Sequence, residues 1–138
     1  MRILLDTNVA IWSVCDTDKI PDSALELISD VNNDVFISLV SVWEIAIKNI
    51  SKPNKIPINE KDFIRYCYKL GFQFLPMKLN HIISLRYLKL KKRDFVHKDP
   101  FDNIIVAQSI SEGIELLTSD KLLSNYDHDN ITIIDKMV

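Results

Sequence analysis

The sequence predicts an α/β fold, a three-layer α/β/α sandwich with a mostly parallel central sheet. Short apolar runs rich in branched residues alternate along the chain with longer helical patterns. Strands separated by helices pair in parallel, and a parallel sheet needs helices on both of its faces. The 138 residues contain two glycines and no repeat or low-complexity stretch, so we expect one domain over residues 1–138.

Each element in the first half of the chain is bounded by a residue that ends a strand or opens a helix. Side-chain oxygens of short polar residues accept the free amide hydrogens of a first helical turn, and proline fixes the backbone angle that this turn needs. In order, these signals predict a strand at 2–5 (RILL), a helix from Asp6-Thr7-Asn8 to Ser13, a helix opened by Pro21-Asp22-Ser23, a strand at 34–38 (DVFIS) and a helix from Ser41 to about Ile50.

Proline and glycine mark most boundaries in the second half of the chain. Proline excludes a regular helix interior, and glycine tolerates the left-handed backbone that ends many helices. In order, the signals predict a loop at 51–57 (SKPNKIP), a helix from Asn59 to Gly71, a strand at 72–75 (FQFL), a helix from Asn80 over 81–90, a helix from Asp99-Pro100 to Gly113, a strand at 115–118 (ELLT), a helical turn at Asp120 and a strand at 131–134.

The bulk composition excludes some classes of protein and leaves others open. Seventeen basic and nineteen acidic side chains give a net charge of −2, so no overall positive field indicates nucleic acid, although a basic rim around an acidic centre would give the same total. Cys15 and Cys67 stand in no metal-binding or disulfide pattern. No apolar run approaches the roughly 18 residues that span a bilayer, and Asp6 comes too early for a secretion signal. We expect a cytoplasmic protein with no membrane segment.

Four acids follow strands or open helices at the end of the predicted sheet where ligands usually bind. Asp6 ends the first strand, and Asp120 lies two residues beyond the fourth. Glu44 and Asp102 are each expected in the first turn of a helix that follows a strand or loop. Because parallel sheets bind ligands beyond the carboxyl ends of their strands, we expect these carboxylates to meet there.

Crowded carboxylates repel one another, and a hard divalent cation neutralises them. Mg²⁺ is the natural occupant of an all-carboxylate site, with Mn²⁺ as a possible substitute. Asp6 and Asp120 are the expected direct ligands, whereas Glu44 and Asp102 hold a second ion or orient water. A metal held in this way activates water for phosphodiester hydrolysis.

Each acid also has a purely structural interpretation. Ser41-x-x-Glu44 matches a capping box, and Asp99-x-x-Asp102 resembles one. Asp6 and Asp120 could cap the turns that follow their strands. Capping alone does not require four acids at one edge of one sheet, which favours the metal site. We interpret Asp99 as a cap.

Four segments carry a resemblance to a known family, and they are LLDTNV at 4–9, SVWEIAIK at 41–48, HKDPFDNIIVAQS at 97–109 and LLTSD at 116–120. In order and spacing they resemble the PIN-domain family, in particular the VapC-type toxins of bacterial and archaeal toxin–antitoxin pairs. The resemblance covers essentially the whole chain, so residues 1–138 would be a single PIN-like ribonuclease domain.

The resemblance implies a Mg²⁺-dependent endoribonuclease that uses Asp6, Glu44, Asp102 and Asp120. It also implies that supporting polar residues stand at Thr7, Asn8 and Thr118. Such toxins are typically homodimers that a cognate antitoxin silences by filling a hydrophobic groove, often with a basic side chain placed in the acidic site. Asn103 stands where many relatives carry arginine, which leaves open whether a positive group near the scissile phosphate is supplied from elsewhere.

Several basic and aromatic residues are further candidates for contacts with RNA. The basic stretch that includes Lys91, Lys92, Arg93 and Lys98 either binds RNA phosphates or is a solvated loop. Trp43 follows helical apolar spacing and is expected in the core, and Tyr66 and Tyr68 are expected to be packing residues.

Two further functions remain as alternatives to the nuclease. A non-catalytic PIN-like module would bind RNA or protein without cutting, although such modules usually lose some of the acids. A receiver-like phosphotransfer domain also clusters acids at strand ends, but it needs a lysine at a strand end, which this sequence lacks.

Overall fold

The computed structural model describes residues 1–91 and 99–137, and in that part of the chain five strands form one parallel sheet. The strands are β1 (Arg2–Leu5), β2 (Asp34–Ser38), β3 (Gln73–Leu75), β4 (Glu115–Thr118) and β5 (Ile131–Ile133). Their order across the sheet is β3-β2-β1-β4-β5, and every neighbouring pair is parallel. The predicted α/β class is confirmed, and the sheet is parallel throughout its described strands.

Helices cover both faces of this sheet. The α-helices are α1 (Thr7–Cys15), α2 (Asp22–Ser29), α3 (Leu39–Ser51), α4 (Glu60–Lys69), α5 (Leu79–Ser84) and α6 (Pro100–Glu112). Short 3-10 helices lie at Thr17–Lys19, Leu85–Tyr87, Lys121–Asn125 and Ile134–Met137. None of the described helices is long and apolar enough to cross a membrane.

The side chains of β1 show why the fold has three layers. Ile3 and Leu5 belong to one apolar cluster, which also contains buried residues of α1 to α4. Leu4 points the other way, into a second cluster built largely by α6 and the segment after β4. All three side chains are fully buried. A strand covered on both faces is expected to be continuously apolar, which is what RILL supplies.

Helix α3 begins earlier than the sequence analysis expected. Ser38 is both the last residue of β2 and the cap of α3, because its hydroxyl accepts a hydrogen bond from the amide of Val40 over 3.0 Å. The predicted start at Ser41 and its capping box with Glu44 are therefore wrong. Glu44 lies in the second turn of α3, and its role is not that of a cap.

Trp43, which was expected in the core, and Tyr66 and Tyr68, which were expected to be packing residues, are exposed. The buried face of α3 includes Ser41, Glu44 and Ile45, so Trp43 falls outside it, 56% exposed, with its ring edge-on to a neighbouring phenylalanine. On α4 the buried residues are Phe63 and Cys67, one helical turn apart. Their helical spacing places Tyr66 and Tyr68 toward solvent, 40% and 67% exposed.

Helix α5 is shorter than the predicted helix over 81–90. It ends at Ser84 and continues only as the 3-10 turn Leu85–Tyr87. Its exposed face carries the apolar side chains of Leu79, Ile82 and Ile83.

Candidate metal centre

The four acids singled out from the sequence line one pocket at the carboxyl ends of the strands. This acidic pocket has a volume of about 340 Å³ and is lined by Asp6, Thr7, Asn8, Glu44, Lys48, Asp99, Asp102, Ser119 and Asp120. Its walls come from the ends of β1 and β4, from α3 and from the first turn of α6. The structure thus brings together residues that are separated by as much as 114 positions in the chain.

Asp6 is the buried centre of this arrangement. Its Oδ1 accepts a hydrogen bond from the amide of Val9 over 2.9 Å and so caps α1. Its Oδ2 accepts from the hydroxyl of Thr118 and from the amide of Ser119, the latter over 3.1 Å. Burial raises the pKa of Asp6 to about 6, with the nearby Asp120 carboxylate adding to the rise and these hydrogen bonds opposing it. Asp6 therefore both caps α1 and lines the acidic pocket.

Glu44 is almost completely buried and is held from two sides. The hydroxyl of Thr7 donates a hydrogen bond to Oε1 over 2.7 Å and lies 2.9 Å from the hydroxyl of Ser41. The ammonium of Lys48, one turn further along α3, lies 2.6 Å from Oε2. A buried carboxylate without such partners would be strongly destabilising.

Asp99 and Asp120 both line the pocket and cap a helix. Asp99 caps α6, as expected, by accepting hydrogen bonds from the amides of Phe101 and Asp102 over 2.9 and 3.4 Å. Asp120 caps the 3-10 helix that follows β4 through the amide of Leu122, at 2.9 Å. Its own amide donates to the hydroxyl of Thr118 over 3.0 Å, so Thr118 contacts both Asp6 and Asp120.

Two contacts, one in the pocket wall and one involving Asn103, were not predicted from the sequence. Lys48 stood inside the family segment WEIAIK without a role of its own, although its spacing of four residues from Glu44 is the signal of a helical ion pair. Tyr126 donates a hydrogen bond to Oδ1 of Asn103. Burial raises the pKa of Tyr126 to about 12, with further contributions from Asp102 and Asp120. Asn103 thus presents a neutral amide that is hydrogen-bonded to a buried tyrosine.

The expected RNA-binding stretch is placed only in part. Lys92, Arg93 and Lys98 lie outside the described residues. Lys91 is exposed and lines a separate pocket together with Tyr126 and residues of β5. The three polar residues expected to support the acids lie at the acidic pocket. Asn8 lies on its exposed rim, and Thr7 and Thr118 are buried.

The donor set of the acidic pocket fits a hydrated divalent cation. Its acids offer carboxylate oxygens, the ligands that Mg²⁺ prefers, and Mg²⁺ usually keeps several of its waters. A volume of about 340 Å³ leaves room for such an ion, since a water molecule occupies roughly 30 Å³ in the liquid. Within residues 1–91 and 99–137, no three acidic, histidine or cysteine side chains are arranged to hold a metal ion together. Hydrogen bonds to protein donors occupy several carboxylate oxygens, so water-mediated binding suits this geometry.

Comparisons with known proteins place these observations in a family. The PIN domain family model matches residues 3–129. The chain is similar in structure to VapBC2 from Rickettsia felis, a complex bound to a DNA fragment from its promoter, at 19% identity and a TM-score of 0.68, covering 95% of this chain and 96% of that one.

Two other solved structures share the fold. DNA-bound VapBC from Salmonella typhimurium is 15% identical with a TM-score of 0.70, and the match covers 96% of this chain and 97% of that one. Mycobacterium tuberculosis VapC20, described as a sarcin-ricin loop cleaving toxin, is 14% identical with a TM-score of 0.53, covering 93% and 92% of the two chains. A comparison with curated proteins found no significant match.

Proposed function

The chain belongs to the PIN domain family, and we propose that it is a metal-dependent endoribonuclease acting as the toxin of a toxin–antitoxin pair. The observation that carries this proposal is the acidic pocket, to which four distant segments each contribute one of the predicted acids. Helix capping accounts for single contacts of Asp6, Asp99 and Asp120, but it does not account for their convergence with Glu44 and Asp102 in one pocket.

The residues divide by position into those that face the cation and those that orient them. Asp6, Asp102, Asp120 and Glu44 would hold Mg²⁺ or Mn²⁺. When bound, such an ion supplies a nucleophilic hydroxide at neutral pH and stabilises charge on the phosphate. Thr118 and Thr7 fix the carboxylates of Asp6 and Glu44 through the hydrogen bonds described above.

The toxin role is proposed from the kind of structure that shares this fold. The similar structures are VapBC complexes and a sarcin-ricin loop cleaving toxin, and at 19% identity or less they show the fold alone. We propose an RNA substrate and a cognate antitoxin by analogy with them, and we propose a homodimer and a cytoplasmic location from the family resemblance. Exposed apolar side chains on α3 and α5 support a protein partner, since apolar patches often mark interfaces.

The proposal is tested by incubating the purified protein with RNA in Mg²⁺ or in excess EDTA. We expect cleavage in Mg²⁺ only, and a loss of roughly 10²-fold or more in rate for Asp120→Asn, because removing one preorganised charge at a reacting phosphate has effects of that size. Asp129→Asn, which changes an exposed acid outside the pocket, is the matched control and should cleave like the wild type.

Two results would contradict the proposal. Cleavage that persists in EDTA would show that the reaction needs no divalent metal. Full activity in Asp120→Asn would show that this pocket is not the site of cleavage. RNA binding without any cleavage by the wild type would favour the non-catalytic PIN-like module instead.

A further inference from the structure

Lys48 contributes a positive charge to the acidic pocket. Among the described residues that line the pocket, Lys48 is the only one with a basic side chain. Its ammonium lies 2.6 Å from Oε2 of Glu44, whose side chain is only 5% exposed, whereas 44% of the Lys48 side chain is exposed. The ammonium is therefore held by a buried partner, while the lysine side chain as a whole remains partly exposed.

The charges of the described lining residues make this position important for an RNA substrate. Five carboxylates line the pocket, from Asp6, Glu44, Asp99, Asp102 and Asp120, against the single ammonium. An incoming phosphodiester is itself negatively charged, and like charges in a partly buried site repel strongly. A bound cation offsets part of this repulsion, but the phosphate oxygens that face away from it still need a donor.

Asn103 does not supply a positively charged donor. Its side chain is a neutral amide, and its Oδ1 accepts the hydrogen bond from the Tyr126 hydroxyl. A lysine ammonium can bind a phosphate oxygen as a point charge, without the two-pronged geometry of arginine.

We propose that Lys48 binds a non-bridging oxygen of the RNA phosphate, and that its ion pair with Glu44 holds the ammonium ready at the wall of the pocket. An ammonium has three N–H donors, so it can bind a phosphate oxygen while still donating to Glu44. This inference rests on the proposed function, which supplies the RNA, and it adds a substrate-binding residue that the sequence analysis did not identify.

A purely structural role for Lys48 makes a different prediction. If the ammonium only neutralises Glu44, its removal changes the stability of the fold and the activity, but not the number of ions released when RNA binds. If it contacts a phosphate, its removal eliminates one such contact. Each phosphate contact contributes about 0.7 to the slope of log binding constant against log salt concentration for a single strand.

The test measures binding of a short fluorescein-labelled single-stranded RNA by fluorescence anisotropy over a range of salt concentrations, with Ca²⁺ in place of Mg²⁺. We expect Lys48→Met to bind roughly 10-fold more weakly and with a slope shallower by about 0.7. Lys48→Arg should restore most of both quantities. Lys52→Met, which removes an exposed lysine that follows α3 and does not line the pocket, is the matched control with wild-type slope.

A second pair of variants covers the case in which Lys48→Met fails to fold. Glu44→Gln removes the buried charge, so adding Lys48→Met to it leaves no buried carboxylate unpaired. The double variant should again show a shallower salt slope than Glu44→Gln alone. A wild-type affinity and slope for Lys48→Met, or an equal change for Lys52→Met, would overturn the inference.

Failure of this inference is distinguishable from failure of the proposed function. Wild-type protein that cleaves RNA while Lys48→Met keeps the wild-type slope would overturn the role of Lys48 and leave the nuclease in place. If the wild-type protein binds RNA without cleaving it, and the salt slope depends on Lys48, the result would contradict the nuclease function and support the contact between Lys48 and a phosphate. Absence of RNA binding by the wild type would overturn both.

Discussion

The two ends of α6 carry polar clusters of opposite character. At its start, Asp99 and Asp102 join the acidic pocket, whose described lining residues supply five carboxylates and one ammonium. At its end, Glu112 meets His81 and Lys78, and we call these three residues the His81 cluster. Both clusters tie α6 to other elements, but among the described residues the acidic pocket carries an excess of negative charge.

The polar groups of the His81 cluster are hydrogen-bonded to one another. His81 is fully buried, its Nδ1 accepts a hydrogen bond from the amide of Lys78 over 3.0 Å, and its Nε2 lies 2.7 Å from Oε1 of Glu112. Because Nδ1 accepts, the network assigns the ring hydrogen to Nε2, which donates to Glu112. The hydrogen bond from His81, with Lys78 adding to it, lowers the pKa of Glu112. A balanced cluster of this kind is a structural joint between α5 and α6.

The comparison teaches that the two clusters differ in charge balance rather than in burial. Buried polar groups occur in both places, and both are hydrogen-bonded. The acidic pocket differs because its described residues carry excess negative charge, which a cation from solution can neutralise. The same type of substitution should therefore have opposite consequences at the two ends of α6.

The largest expected contrast is in RNA cleavage. Asp102→Asn should lower kcat/KM by about 10²-fold or more, because it removes charge that the proposed reaction needs. Glu112→Gln makes the same acid-to-amide change on the same helix and should leave kcat/KM within about twofold, since Glu112 is a partner in a structural joint. Steady-state cleavage of one RNA substrate measures both, and equal losses in the two variants would contradict the distinction.

The next largest effect is expected on the stability of the His81 cluster. His81→Ala should lower the free energy of unfolding by roughly 3–4 kcal/mol, because it leaves a cavity and deprives the Lys78 amide and Glu112 of a partner. His128→Ala, at a partly exposed histidine, should cost less than about 1 kcal/mol. Urea denaturation measures both changes, and similar losses in the two variants would show that the His81 cluster is not a joint.

A smaller effect is expected in the pH dependence of the metal-free protein. The pKa of Asp6 is raised from 3.8 to about 6, so the folded protein holds a proton that the unfolded chain releases between those values. Stability should therefore fall as pH rises from about 4 to about 6, by roughly 2–3 kcal/mol from this residue. The difference between wild type and Asp6→Asn in EDTA isolates the effect of Asp6 together with its interaction with Asp120, because groups remote from Asp6 titrate equally in both. A difference that does not change with pH would contradict the burial of a titrating Asp6.

The sequence is sufficient to predict much of the sheet and of the acidic pocket. The observed bounds of β1, β2 and β4 are those predicted, since contiguous branched apolar runs have few alternatives to a buried parallel strand. Helix α6 was predicted from Asp99-Pro100 at its start and Gly113 after its end, where the glycine adopts the left-handed φ of 64°.

The remaining features depend on contacts that local patterns do not contain. Ser38 ends β2 and caps α3 at once, so no turn residue marks the boundary. The contact of His81 with Glu112 joins residues 31 positions apart, and no motif connects them. Lys48 acquires a role only because Glu44 is buried beside it, and burial of an acid in a helix is decided by tertiary packing.

The most direct test of the account is the effect of Mg²⁺ on thermal unfolding of the purified protein. A cation that binds the folded acidic pocket stabilises it by about 1.4 kcal/mol at ten times its dissociation constant. We predict a rise in Tm with Mg²⁺ for the wild type and for Glu112→Gln, and little or no rise for Asp120→Asn. A wild-type Tm that is the same in Mg²⁺ and EDTA, or a rise that Asp120→Asn retains in full, would contradict the claim that these acids form a metal centre.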